Sequence, residues 1–116
     1  MKIKQYIPTE QEEQELLVEW LEYKKIKFSA LPLNTYTEHW SVKNRNKRIG
    51  VRSGVPDIMI ILPTNKLVFI EMKRTSKSVL SENQKEWIKA LNNCCGVSAD
   101  VAKGFNSAKE IIEKKL

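Results

Sequence analysis

Asp57, which follows Val55 and Pro56, and the triplet Glu71-Met72-Lys73 fourteen positions later are the residues of this chain best placed to do chemistry. An acid at the head of one short apolar strand and an acid-X-lysine at the tail of the next can form a hydrolytic magnesium site. Magnesium takes hard oxygen ligands and keeps several waters, so two carboxylates on adjacent strands can hold it. A third carboxylate from a helix, Glu10, can join directly or through water, and the Met72 backbone carbonyl can add an oxygen. Such an ion polarises a scissile phosphate and acidifies a bound water. Lys73 beside it can orient that water or balance charge developing on phosphorus.

The spacing fits an antiparallel hairpin of Ile58–Leu62 and Leu67–Ile70, with the turn over 62–66. Alternation then puts Glu71 and Lys73 on one sheet face, roughly 7 Å apart, and Met72 on the other. Asp57 faces Glu71 if Ile61 pairs with Leu67. A slip of one residue would turn it to the wrong face unless the bend at Pro56 returns it. Plain structural roles exist for each residue alone. Asp57 suits a turn after Pro56, and Glu71 with Lys73 suits an exposed ion pair. The joint pattern favours a site.

A first helix should begin at Thr9, with Glu12 completing a capping box, and run to about Lys25. Leu17 and Leu21 centre its apolar stripe, and Glu10 and Gln14 continue that line towards the N-terminus. Glu12, Glu15, Glu19 and Glu22 gather on the opposite, solvated face. Glu10 suits either a site or the helix dipole, and Glu13 is its nearest substitute. Ser81 with Gln84 should cap a second helix reaching about Asn92, with Gln84, Trp87, Ile88 and Leu91 on one face. Capping and a site role remain equal alternatives for Gln84.

Strands over 26–31 and 97–102 and a last helix over 107–115 complete the pattern, with a long loop from Pro32 to Gly54 that holds a short strand near 35–38. This order predicts an α/β domain over 1–116, a small mixed β-sheet flanked by helices. The formal charge of +6 favours a polyanionic partner. From Trp40 to Pro56 the loop carries Lys43, Arg45, Lys47, Arg48 and Arg52 with no acid, a run able to contact DNA phosphates. Lys73, Arg74 and Lys77 add charge nearby, and His39 and Trp40 can stack on a base or anchor the loop. A single His leaves no zinc ligand set of usual spacing, and adjacent Cys94 and Cys95 read as free thiols of a reducing cytosol. The N-terminus lacks a signal-peptide core, and no apolar run is long enough to span a bilayer.

Gly54-Val55-Pro56-Asp57, then Phe69-Ile70-Glu71-Met72-Lys73-Arg74, then Ser81-x-x-Gln84-x-x-Trp87 resemble the PD-(D/E)XK nuclease superfamily. Within it the chain is most similar to the virus-type replication-repair nucleases, the VRR-NUC group, from Thr9-Glu10 to the strand at Val97. The resemblance implies a restriction-endonuclease-like core and a Mg²⁺-dependent phosphodiesterase in which Mn²⁺ can substitute. It gives Asp57, Glu71, Lys73 and Gln84 as motif positions, with Glu10 as the helix acid. It further implies a homodimer that cuts branched DNA such as Holliday junctions or flaps, in the cytoplasm, or the host cytoplasm if phage-encoded. Three other readings stay open: a sequence-specific homing or restriction-type endonuclease, a catalytically silent DNA-binding module, and an interaction domain with no nucleic-acid role.

Overall fold

A computed structural model describes residues 6–31, 40–74 and 78–116, with 40–42 as backbone only. Helix α1 (Glu10–Tyr23) starts where the capping signal places it, the Thr9 hydroxyl accepting from the Glu12 N–H at 3.1 Å. It ends at Tyr23 with Lys24 as its C-cap, and Lys25 at φ 57° lets the Ile26 N–H reach back to the Leu21 carbonyl at 3.0 Å. Strand β1 (Lys27–Ala30) follows, then helix α2 (Trp40–Arg48), strands β2 (Ile58–Ile61) and β3 (Leu67–Lys73), helix α3 (Glu82–Asn92), strand β4 (Val97–Lys103) and helix α4 (Phe105–Glu113).

The four strands form one mixed sheet in the order β1-β2-β3-β4, with β1, β2 and β3 antiparallel and β3 parallel to β4. Helix α3 makes the crossover that the parallel pair needs. On one sheet face Ile58, Ile60, Val68, Ile70, Met72 and Ala102 pack against Leu17 and Leu21 of α1 and Ala108 and Ile112 of α4. In the β2–β3 hairpin the Leu62 carbonyl accepts from the Asn65 N–H, Pro63 fits the first turn position, and Asn65 takes φ 63°.

Three expectations need correction. Residues 40–48 form a helix rather than part of a loop. Its sequence, WSVKNRNKR, is polar nearly all round, so it carries no apolar stripe to reveal the 3.6-residue period. The last helix begins two residues before Ser107, because its cap comes from elsewhere: the Phe105 N–H donates to the Glu13 carboxylate of α1. Strand β4 runs one residue further than 102. The short strand expected near 35–38 lies outside the described residues. No helix among the described residues is long and apolar enough to cross a membrane, and both cysteines are free and exposed.

Candidate active site

Ile61 pairs with Leu67 and Ile58 with Ile70, the register the sequence requires, so Asp57 and Glu71 come next in line beyond the ladder. The Asp57 carbonyl accepts from the Leu31 N–H at 2.9 Å, fixing its backbone to the end of β1. Its Oδ2 accepts from the Met72 N–H at 2.8 Å. That N–H has no β2 residue opposite it, and the Asp57 carboxylate takes the missing strand's place. The N–H and C=O of one extended residue leave on the same edge, so the Met72 carbonyl also points to the Asp57 side.

Glu71 is the one buried charged residue among those described, 3% exposed. Its Oε1 accepts from the Gln84 amide nitrogen at 2.8 Å and lies 3.8 Å from Lys73 Nζ. Its Oε2 is buried with no hydrogen-bond partner. An ionised oxygen left so is costly unless something positive meets it. Lys73 Nζ in turn donates to Gln84 Oε1 at 3.2 Å.

Gln84 closes the cap of its helix and also touches both Glu71 and Lys73. Its side-chain oxygen accepts from the Ser81 N–H at 2.9 Å while the Ser81 hydroxyl accepts from the Gln84 N–H, closing the capping box of α3. The NH₂ group is left to face Glu71. Reversing the amide would set oxygen against carboxylate and NH₂ against ammonium, so the charged neighbours fix its orientation. Capping pins the side chain that holds Glu71 and Lys73 in place.

Three carboxyls feel one another here. Burial first, and then the charges of Asp57 and Glu10, push Glu71 up to about 7 despite the opposing pull of Lys73 and of the Asp57 backbone N–H. Burial also raises Asp57, with the Met72 N–H and Lys73 working against the shift. Glu10, an exposed residue, is raised by partial desolvation and then by Asp57. Glu10 and Asp57 share the wall of a cavity of about 600 Å³ with Gln11, Gln14 and Val18, and also with Glu15 and Glu19, which helical phase predicts on the opposite face. Glu13 faces elsewhere, capping α4 against Gly104, where no side chain could fit without pressing on its carboxylate.

Among the described residues no group of three or more His, Cys, Asp or Glu side chains stands close enough to hold a metal ion by itself. The carboxylates of Asp57, Glu71 and Glu10 nevertheless lie within one another's electrostatic reach, with the Met72 backbone against Asp57, and all are hard oxygen donors. That set suits a cation that keeps most of its water and does not suit a fully enclosed one.

A pH signature follows from Glu71. A carboxyl whose folded pKa lies above its ordinary value contributes stability that is complete below the ordinary value and is lost as pH rises through about 7. In chelator the protein should therefore melt at a lower temperature at pH 8 than at pH 5.5, and Glu71→Gln should flatten that difference. Thermal melts across the range check it. Equal slopes for the two proteins would refute the assignment.

Lys43, Arg45, Lys47 and Arg48 lie on α2, each exposed. Arg52 donates to the Lys47 and Val51 carbonyls at 3.4 and 3.2 Å, bracing the chain that leaves α2. Arg74 is engaged differently from a free phosphate-binding cation. Its Nε donates to the Pro8 carbonyl at 3.1 Å and its Nη2 to the Ile7 carbonyl at 3.0 Å. It ties the chain just before Glu10 to the end of β3. Lys77, His39 and the Trp40 side chain lie outside the described residues.

Sequence reasoning missed how the Gly54 loop is docked. Asn83 of α3 donates to the Ser53 hydroxyl at 2.7 Å, and a Cβ on Gly54 would stand 2.6 Å from the Asn83 backbone carbon. The only advance signal was a glycine three residues before the acid.

The family profile of the VRR-NUC domain matches residues 8–106. A solved structure described as a VRR_NUC domain protein is 31% identical, with a TM-score of 0.68 over 97% of this chain and 89% of its own. Another, described as a VRR_NUC domain, is 22% identical with a TM-score of 0.67, covering 92% of this chain and 97% of its own, and speaks for the fold alone. No curated protein matches the sequence. With the matched span covering most of the chain and the fold shared, this protein belongs to the VRR-NUC domain family and is a nuclease-type domain.

Proposed function

We propose that the chain is a Mg²⁺-dependent endodeoxyribonuclease, with Mn²⁺ able to substitute, that cuts branched DNA as a homodimer. The observation that carries this reading is the buried Glu71. Its second oxygen lacks a partner and its charge is opposed by Asp57 and Glu10. A divalent cation would offset that crowding of negative charge.

Asp57, Glu71 and the Met72 carbonyl would hold the ion, with Glu10 joining across the cavity through water. When bound, the ion supplies positive charge beside the scissile phosphate and lowers the pKa of a water. Lys73, steadied by Gln84 and by Glu71, is placed to hydrogen-bond the attacking water or a phosphate oxygen. Gln84 is a positioning residue that orders both charged groups. The exposed cations of α2 would track the DNA backbone, an attraction that reads charge and shape and carries no sequence code. Two such centres in a dimer would address the paired strands of a junction.

The deciding assay sets purified protein with Mg²⁺, Mn²⁺ or chelator against a four-way junction, a flap, plain duplex and single strand. Cleavage of the branched substrates in either metal and none in chelator is expected. Equal cutting in chelator would refute the metal requirement. Cutting confined to one duplex sequence would favour a restriction-type enzyme, and binding with no cutting in either metal a silent module.

A further inference from the structure

A second cavity of about 470 Å³ opens beside the catalytic cluster, lined by Arg52, Ser53, Asn83, Glu86, Trp87 and Ala90. Its walls are the Gly54 loop that leads into Asp57 and the face of α3 formed by Asn83, Glu86, Trp87 and Ala90, beside the line that carries Gln84. Trp87 follows Gln84 by three residues, so the two lie on neighbouring turns of one helix face. α3 has no fully buried residue, and Trp87 is half-buried although it belongs to the apolar stripe of its helix. The close contact between Gly54 and Asn83 keeps the two walls together.

The chemistry of the lining is mixed in a telling way. Trp87 offers an aromatic surface. Asn83 spends one N–H on Ser53 and keeps a carbonyl oxygen and a second N–H. Arg52 uses Nη1 on backbone carbonyls and keeps its remaining donors. Glu86 is exposed and, among the described residues, has no hydrogen-bond or ion-pair partner. Its charge disfavours a phosphate in the cavity, and its oxygens can accept from an exocyclic amine. A flat heterocycle with donors and acceptors on its edge matches this lining, which pairs an aromatic surface with an amide, a carboxylate and guanidinium donors.

We propose that this cavity holds a nucleobase unstacked from the DNA strand beside the scissile phosphate, stacked on Trp87 and contacted at its edge by Asn83 and Glu86. The inference rests on the nuclease reading above and adds what that reading lacks, a subsite for an unpaired nucleotide. Branch points and flaps supply such nucleotides at low cost, while intact duplex must first unstack one. The cavity would thereby contribute to the preference for branched DNA.

Binding is measured in the Glu71→Gln background with Mg²⁺, so that cleavage does not intervene. The unpaired strand of a flap is scanned with a single abasic nucleotide. One position near the junction should weaken binding roughly tenfold, the scale of one aromatic–base stack. In Trp87→Ala the intact flap should bind as weakly as the abasic one, and the abasic change should then cost less than twofold. Trp87→Phe should retain most of the sensitivity. If Trp87→Ala does not melt cooperatively, the abasic scan on the Trp87-containing protein and on Glu86→Ala still decides: loss of discrimination between adenine and thymine at that position in Glu86→Ala supports the subsite. A flat abasic scan, or losses from ring and base that simply multiply, would overturn the subsite and leave the nuclease standing. Failure to bind any DNA would instead strike the nuclease reading itself.

Discussion

Glu71→Gln should abolish cleavage by at least about a thousandfold while leaving DNA affinity within a few-fold, and should raise the melting temperature in chelator at pH 8. The two effects share one cause. At that pH the Glu71 carboxylate is buried beside two other acids, one oxygen unsatisfied, its pKa already pushed up to about 7. Glutamine keeps the shape, accepts from Gln84 as before and removes the repelled charge. A residue kept only for stability would not become better folded on losing its charge. Asp57→Asn should be as damaging to turnover, although it also loses a charged acceptor for the Met72 N–H. Lys73→Ala should lose activity without the gain in stability, since it removes the cation that offsets Glu71. Single-turnover cleavage, filter or anisotropy binding and thermal melts on the same preparations separate these outcomes. Near-wild-type turnover in Glu71→Gln would end the metal-site proposal.

Gly54→Ala should be the most damaging single-methyl addition in the chain. Gly54 sits at φ 96°, where a side chain is strained, and its new Cβ would fall 2.6 Å from the backbone of Asn83, which cannot give way as a flexible side chain could. Gly50 supplies the control, because it has φ 95° but nothing within 4 Å. Gly50→Ala should show the strain alone, about 1–2 kcal/mol. Gly54→Ala adds the clash and should lower the melting temperature by roughly 10 °C or more. The surviving folded protein should also cleave poorly. The loop leads directly to Asp57, and the first turn of α3 that it would push carries Gln84. Equal melting temperatures for the two variants would show that the loop is not docked as described.

Much of the site was legible because its spacing is governed by local rules. The hairpin register followed from two apolar runs and a five-residue turn, and that register alone sets Asp57 beside Glu71. Capping signals at Thr9 and Ser81 fixed the starts of α1 and α3, and helical phase set Glu10 on the line of Leu17 and Leu21. Helix α2 escaped notice because residues solvated on every side leave no period to read. Whether Glu10 or Glu13 serves the cavity could not be read from phase, since the two acids differ through contacts with Asp57 and with Gly104, far along the chain.

Alone, the sequence determined which side chains must share a sheet face, where the principal helices begin and which acids are out of place in an apolar strand. Those are consequences of the two-residue and 3.6-residue repeats and of backbone donors that need acceptors. Tertiary structure decided the rest. It buried Glu71 with an unsatisfied oxygen, made Gln84 both a cap and a clamp, turned Arg74 onto the backbone ahead of Glu10 and opened a cavity against Trp87. Burial and electrostatic coupling depend on distances between segments remote in the chain, and no local pattern contains them.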